Sequence, residues 1–186
     1  MKAQTQKSHQ IALSVALISW GMLFATLFLG YAVYRFQMPQ WPTAGVRTAP
    51  LQWPIISTIL VVLSSVSCHL ALVHYRTLRS APFRVYTWIS WCLGLAFFVS
   101  QFLFWENLSQ VGLYTQSGIY ASLLHGMTWI HAAHMALAMI GLTTILFLAY
   151  RESSMGSRQT LVSHLTTFWH FLGIIWILMF IVLFIL

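Results

Sequence analysis

From residue 117 to residue 150 the chain reads SGIYASLLHGMTWIHAAHMALAMIGLTTILFLAY, 34 residues without a Lys, Arg, Asp or Glu. At about 1.5 Å of rise per residue this makes a helix of roughly 50 Å, longer than the ~30 Å hydrocarbon core of a bilayer, so the stretch spans a membrane. It nevertheless carries His125, His131 and His134. Polar side chains at lipid depth are costly and face protein or a water-filled cavity, which predicts a helix buried among others. Gly118, Ser122 and Gly126 recur every four residues, an edge of small side chains along which a second backbone can come close. The stretch is expected to be the central packing helix of a membrane bundle.

Four further apolar runs place spans at 11–34, 54–75, 85–105 and 163–186 beside that at 117–150, in a single transmembrane domain covering 1–186. Inside a bilayer such runs satisfy their own backbone groups only as helices, so the fold class is an all-α membrane protein, a bundle of five transmembrane helices. Composition agrees. Only 6% of the residues are charged, against about 25% in a soluble domain, and mean hydropathy is +0.79. The run from Ile11 exceeds the ~7–15 apolar residues of a signal peptide and reads as a retained span. Pro39, Trp41, Pro42, Pro50 and Trp53 fall between the first two spans, a connection that cannot be helical throughout. Pro54 suits the first turn of the second span. Pro82, among Arg76, Arg79 and Arg84, reads as a short loop, Glu106 and Asn107 close the third span, and 151–158 is a polar loop.

The net charge of +7 comes from nine Lys and Arg against Glu106 and Glu152 alone. These cations stand singly at the ends of apolar runs, where membrane orientation and headgroups account for them, so nucleic acid is not an expected partner. Lys2, Lys7, Arg76, Arg79, Arg84, Arg151 and Arg158 fall on one side and Arg35 and Arg47 on the other. Seven cations against two put the N-terminus in the cytoplasm and the C-terminus on the outer, periplasmic side. Cys68 and Cys92 lie inside apolar runs and read as small hydrophobes.

Eight histidines in so apolar a chain have two readings. In one, His69, His125, His131, His134 and His170 supply imidazoles to a metal or a b-type haem, which makes the chain a membrane electron carrier. In the other they are neutral, hydrogen-bonded to neighbouring helices, and fix helix register; the three-residue spacing of His131 and His134 suits packing too. No acidic residue falls deep in a span, which speaks against a proton or ion path. The hydroxyls Ser57, Ser64, Ser65 and Ser67 read as helix-packing groups. Trp20, Trp88, Trp91, Trp129, Trp169 and Trp176 are expected to face lipid or a partner, those near span ends as interfacial anchors.

Residues 118–141, GIYASLLHGMTWIHAAHMALAMIG, resemble the helix of subunit III of haem-copper terminal oxidases that reads G-[VIL]-Y-[GA]-S and then G-F-H-G-[LA]-H-V, through Gly118, Tyr120, Ser122, Thr128, His131 and His134. Residues 166–180, TTFWHFLGIIWILMF, resemble that family's last helix, W-[YH]-[WF]-H-F-V-D-[VI]-[VI]-W, through Trp169, His170, Phe171 and Trp176. The run before QWP resembles its first core span, and Pro54, Thr58, Leu63, Ser64 and Ser65 match its P-L-[LIV]-N-T-x-[IVL]-L-L-S-S span. Five spans resemble the short bacterial form. The chain departs from the pattern where Trp20 follows Ile18-Ser19 in place of a Glu, and where Ser163 and Gly173 replace carboxylates, so proton handling by those groups is not carried over.

The resemblance implies an accessory subunit of a respiratory oxidase that reduces oxygen to water and pumps protons. It implies a multi-pass protein of the bacterial inner membrane, packed against subunit I in a hetero-oligomer with subunits I and II and phospholipids. Haem and copper are then expected in the partner subunits, with no catalytic, cofactor-binding or metal-binding residue in this chain. The expected structural or interface residues are His131, His134, Trp169, His170, Gly118, Ser122 and Gly126. A related alternative is a subunit-III-like accessory protein of a nitric oxide reductase.

Overall fold

A computed structural model describes residues 2–39, 41, 49–150 and 159–185, with the backbone alone at 2–9 and 148. Pro42, Arg47, the polar stretch 151–158 with its Arg151, Glu152 and Arg158, and the final Leu186 lie outside the described residues. Among the described residues five helices run in order, α1 (Lys2–Gln37), α2 (Gln52–Arg76), α3 (Ser80–Gln110), α4 (Ile119–Ala149) and α5 (Gln159–Phe180), and α5 continues as a π-helical turn (Ile181–Ile185). Each contains a stretch long and apolar enough to cross a bilayer.

The third helix is longer than its apolar run. The break between α2 and α3 is only 77–79, because Pro82 occupies the first turn of α3, where a missing N–H leaves no bond unmade. Arg84 is thus helical, and its Nε–H donates at 2.9 Å to the carbonyl of Ala149, satisfying one of the free C=O groups at the end of α4. Glu106 is helical as well. Leu78 turns the chain between the helices with φ +56, and the Arg79 amide returns to the His74 carbonyl. Gly118, with φ +134, starts α4 in a conformation that side chains rarely adopt.

Helices α2, α3, α4 and α5 pack in sequence, and α5 closes the ring on α2; α1 lies outside it against α5. The helix with most neighbours is therefore α5, touching α1, α2 and α4 and also α3 through Trp169 at Gly94 and Trp176 at Phe97, and not the long uncharged α4 that the sequence suggested as the centre. Packing chemistry explains the difference. Trp169 and Trp176 of α5, expected at lipid or at a partner, are 2% and 0% exposed. Their indole N–H groups donate across to α2, to Ser64 Oγ at 3.1 Å and Thr58 Oγ1 at 3.0 Å. Ser64 in turn donates to the Ser90 carbonyl of α3, and Thr58 to the Pro54 carbonyl of its own helix.

The same indole, hydroxyl, carbonyl sequence joins α3 to α4 through Trp105 and Thr128 and through Trp91 and Thr143. In lipid such bonds contribute roughly 0.6 kcal/mol each, up to about 1.7, and they also fix register. Ser57, Ser64 and Ser67 are buried packing hydroxyls between α2 and α3. Close helix approach occurs at Gly94, Gly141 and Gly173, where an added Cβ would meet Trp169 and Met139, Leu165, and Ser65 respectively.

Helix α1 is attached by a few large rings. Trp20 lies against Phe168 at 4.7 Å and His134 at 5.4 Å, and Phe24 against His134 at 5.5 Å. At its far end Trp41 is wedged between Tyr31 and Tyr120 and donates to Tyr31 Oη. The rest of α1, including Ile11, Val15, Ile18, Met22 and Leu29, faces outward.

Candidate functional site

The intramembrane histidines fall into three environments. His125 and His134 of α4 satisfy themselves locally, donating Nδ1–H to the carbonyls of Ala121 at 3.0 Å and Ile130 at 2.7 Å, four residues back on the same helix. His134 then serves as an apolar plate under Trp20 and Phe24.

His131 is different. It is 0% exposed and sits among Phe24, Phe97 and Trp176, at ring separations of 6.1, 6.0 and 5.3 Å. Neither ring nitrogen has a hydrogen-bond partner among the described residues. Both sit in a low-dielectric aromatic box where an unmade bond costs about 1–3 kcal/mol.

The third environment joins His69 of α2 and His170 of α5, whose ring centroids are 5.9 Å apart. They open into a groove of about 540 Å³ along the outer seam of the two helices, walled by Val61, Val66, Leu70, Ile174 and Ile177 and floored by Ser65 and Gly173. Gly173 is buried there, and its missing Cβ would stand 3.1 Å from Ser65 Oγ, so the glycine lets the helices close at the base of the groove. Unlike His125 and His134, neither His69 nor His170 makes a hydrogen bond among the described residues.

These positions bear on the ligand reading. No three His, Cys, Asp or Glu side chains converge among the described residues. A haem shared by His69 and His170 would have to pass between α2 and α5, and those helices are already joined by Trp169 to Ser64, Trp176 to Thr58 and Cys68 to Thr166. Direct contact leaves no slot for a macrocycle between them.

The remaining expected interface residues lie on the other side of the bundle. Gly118, Ser122 and Gly126 line an outward edge of α4, and a Cβ at either glycine would meet nothing within 4 Å among the described residues. Ser122 donates to the Thr115 and Gly118 carbonyls, closing the turn into α4. Trp129, 51% exposed, continues the edge. Close approach along this strip is thus not used by the described residues, whereas Trp169 is wholly internal.

Sequence reasoning missed Gln101, which has no exposure and donates from Nε2 to Ser57 Oγ at 2.8 Å, where Ser100 also meets Ser57 at 2.7 Å. A Gln flanked by Ser100 inside an apolar run was the available signal. A small polar pocket of about 270 Å³ lies where the ends of α2 and α5 meet near Gln10, lined by Arg76, Gln159, Thr160, Ser163 and His164.

No protein-family model matches the chain. Among curated proteins it is similar to cytochrome c oxidase subunit 3 of Thermostichus vulcanus, 30% identical over 180 residues, 95% of this chain and 86% of that one. It is 28% identical over 175 residues to cytochrome c oxidase subunit 3 of Synechocystis, covering 91% of this chain and 72% of that one. It is 24% identical over 165 residues to cytochrome bo(3) ubiquinol oxidase subunit 3 of Pseudomonas putida, covering 89% and 79%.

Proposed function

The chain belongs to the cytochrome c oxidase subunit 3 family, and from that premise we propose that it serves as an accessory subunit of a haem-copper respiratory terminal oxidase. The observation that carries the reading is likeness over 95% of the chain to a relative of that name, in a molecule with five membrane-capable helices. The redox chemistry, oxygen reduction coupled to proton pumping, belongs to haem and copper in partner subunits I and II. This chain braces them. Its membrane is the bacterial inner membrane, with the N-terminus in the cytoplasm, as the distribution of Lys and Arg between alternate loops supports.

Subunit I takes the outward edge of α4 formed by Gly118, Ser122 and Gly126, a strip of small residues open to a second backbone. His134 and Trp169 hold the bundle behind that edge, His131 fills the aromatic box at its centre, and phospholipid covers the outward face of α1. His170 faces away from the proposed contact, into the groove shared with His69.

The test is purification of the tagged full-length chain from its own membranes in mild detergent. Mass spectrometry is expected to find oxidase subunits I and II, and the reduced spectrum to show their haem. Chain stripped from the complex by harsher detergent is expected to be colourless. Haem retained by the stripped chain, or recovery with no oxygen-reducing core, overturns the proposal; recovery with a nitric oxide reductase core replaces it.

A further inference from the structure

We propose that the groove between α2 and α5 binds the ring of a membrane-soluble quinone or quinol, with His69 and His170 as its hydrogen-bonding partners. His125 and His134 use the nearest carbonyl of their own helix, so an imidazole in these helices has a local partner within reach. His69 and His170 do not use one, and instead lie side by side at 5.9 Å with their edges in an apolar groove. Two neutral imidazoles offer a donor and an acceptor nitrogen each, in a groove whose one other polar lining side chain is the Ser65 hydroxyl at its floor.

Depth selects the occupant. His69 lies seven residues before Arg76 at the end of α2, and His170 eleven residues after Gln159 at the start of α5. Those two ends meet at the polar pocket, so the imidazoles are about 10–16 Å inside the same side of the bundle. A phosphate or other charged headgroup would have to leave water to reach them, at a cost no cation in the groove offsets. Acyl chains reach the depth but carry no hydrogen-bonding group.

A metal ion would find two imidazoles and no anionic ligand. A quinone ring meets the requirements together, since it is uncharged, dissolves in the bilayer, and carries oxygens that accept as carbonyls or donate as hydroxyls. The groove's 540 Å³ suits a ring and the first units of its tail, within the usual ~300–1,000 Å³ of small-molecule sites. Gly173 and Ser65 give it a low floor, and branched aliphatic walls flank it. The site does not rest on the oxidase assignment.

The experiment uses membranes containing the full-length chain in its native assembly, photolabelled with a short-chain azido-ubiquinone. Label is expected on the segments 61–70 and 170–177, displaced by excess decylubiquinone and not by excess phosphatidylglycerol. The double variant His69→Leu with His170→Leu is expected to lose at least tenfold of that label. Val66→Trp, which fills the groove from a residue 55% exposed and keeps both imidazoles, is expected to lose it equally, and carries the test if the double variant does not insert. Absence of label from both segments, label unchanged in Val66→Trp, or displacement by phospholipid overturns the proposal. Co-purification is scored on the same sample. Labelled chain without oxidase subunits sinks the accessory-subunit reading alone, and unlabelled chain within an oxidase sinks this one alone.

Discussion

Gly94 stands where α3, α4 and α5 meet, and Gly94→Ala tests whether that junction is as tight as it looks. An added Cβ would lie 2.6 Å from Met139 Sδ, 2.8 Å from Trp169 Cη2 and 3.2 Å from its Cζ2. Carbon atoms at ease stand about 3.5–4.0 Å apart, so the overlap with the indole is roughly 0.7 Å or more. Met139 is flexible and half-buried and can turn away. Trp169 cannot, being 2% exposed and held by its bond to Ser64. Overpacking of this kind costs about 1–3 kcal/mol, offset by up to about 1 kcal/mol from the better helix propensity of Ala. The expected net loss is about 1–2 kcal/mol, a 5–30-fold fall in the folding equilibrium.

The indole is the diagnosis, so the decisive variant is Gly94→Ala combined with Trp169→Phe. Phe lacks the two atoms that clash, and in its background the Ala substitution is expected to cost nothing, a coupling of about 1–2 kcal/mol. Gly141→Ala is the internal comparison. Its Cβ would come within 2.5 Å of Leu165, but the contact is with the far end of a half-buried, movable side chain, so about 1 kcal/mol or less is expected. The assay is SDS-driven unfolding of the full-length chain in mixed micelles, scored by pulse proteolysis. Gly94→Ala as stable as the parent, or equally costly with and without the Trp169 indole, refutes the reasoning.

Ser57→Ala removes the hydroxyl that Gln101 donates to and that Ser100 meets, leaving the buried Gln101 amide unpaired; about 1–3 kcal/mol of stability should be lost in the same unfolding assay. His131→Leu removes two ring nitrogens without partners from an aromatic box, so stability should hold or rise by about 1 kcal/mol, and the haem spectrum of the assembled complex should not change. Leu78→Gly relieves a left-handed backbone at an exposed turn, and a gain of about 0.5–1 kcal/mol is expected in the unfolding midpoint.

How much of this was legible beforehand follows from what lipid asks of a chain. Apolar length alone announces five helices, because a bilayer offers the backbone no other bonds, and five are found among the described residues. Helix ends were less legible. Arg84 and Glu106 read as stops because charge leaves the hydrocarbon there, yet α3 runs through both, since interfacial helix turns tolerate charge and Arg84 finds the Ala149 carbonyl. The choice of the central helix was not legible either. In soluble helices a polar face marks the outside, but here both faces are apolar, and the long uncharged α4 looked more interior than α5. The signal that could have been used is the pairing of indoles with hydroxyls. Trp169 and Trp176 on one span match Ser64 and Thr58 on another, and each indole N–H needs an acceptor that lipid cannot provide.

The histidines show this more sharply, because one residue type within the apolar spans takes three roles that spacing cannot separate. His125 and His134 are satisfied by their own helix, a bond available to any helical imidazole and therefore invisible as a pattern. His131 lies only three residues from His134, yet it is enclosed by rings from α1, α3 and α5 that no local reading brings together. His69 and His170 are separated by about a hundred residues and meet where α2 and α5 pack closely over Gly173 and Ser65. An imidazole that ignores its own carbonyl is thus the informative one: His74, whose Nδ1 has no partner among the described residues, lies flat on Tyr86, whereas His69 and His170 share a single groove. If Gly173→Leu, which would lift α5 from Ser65 and part the rings, leaves the azidoquinone labelling of 61–70 intact, then the geometry of the pair is not what the ligand recognises. The expected result is loss of at least tenfold of that label, with the chain still recovered in its complex through the distant edge of α4.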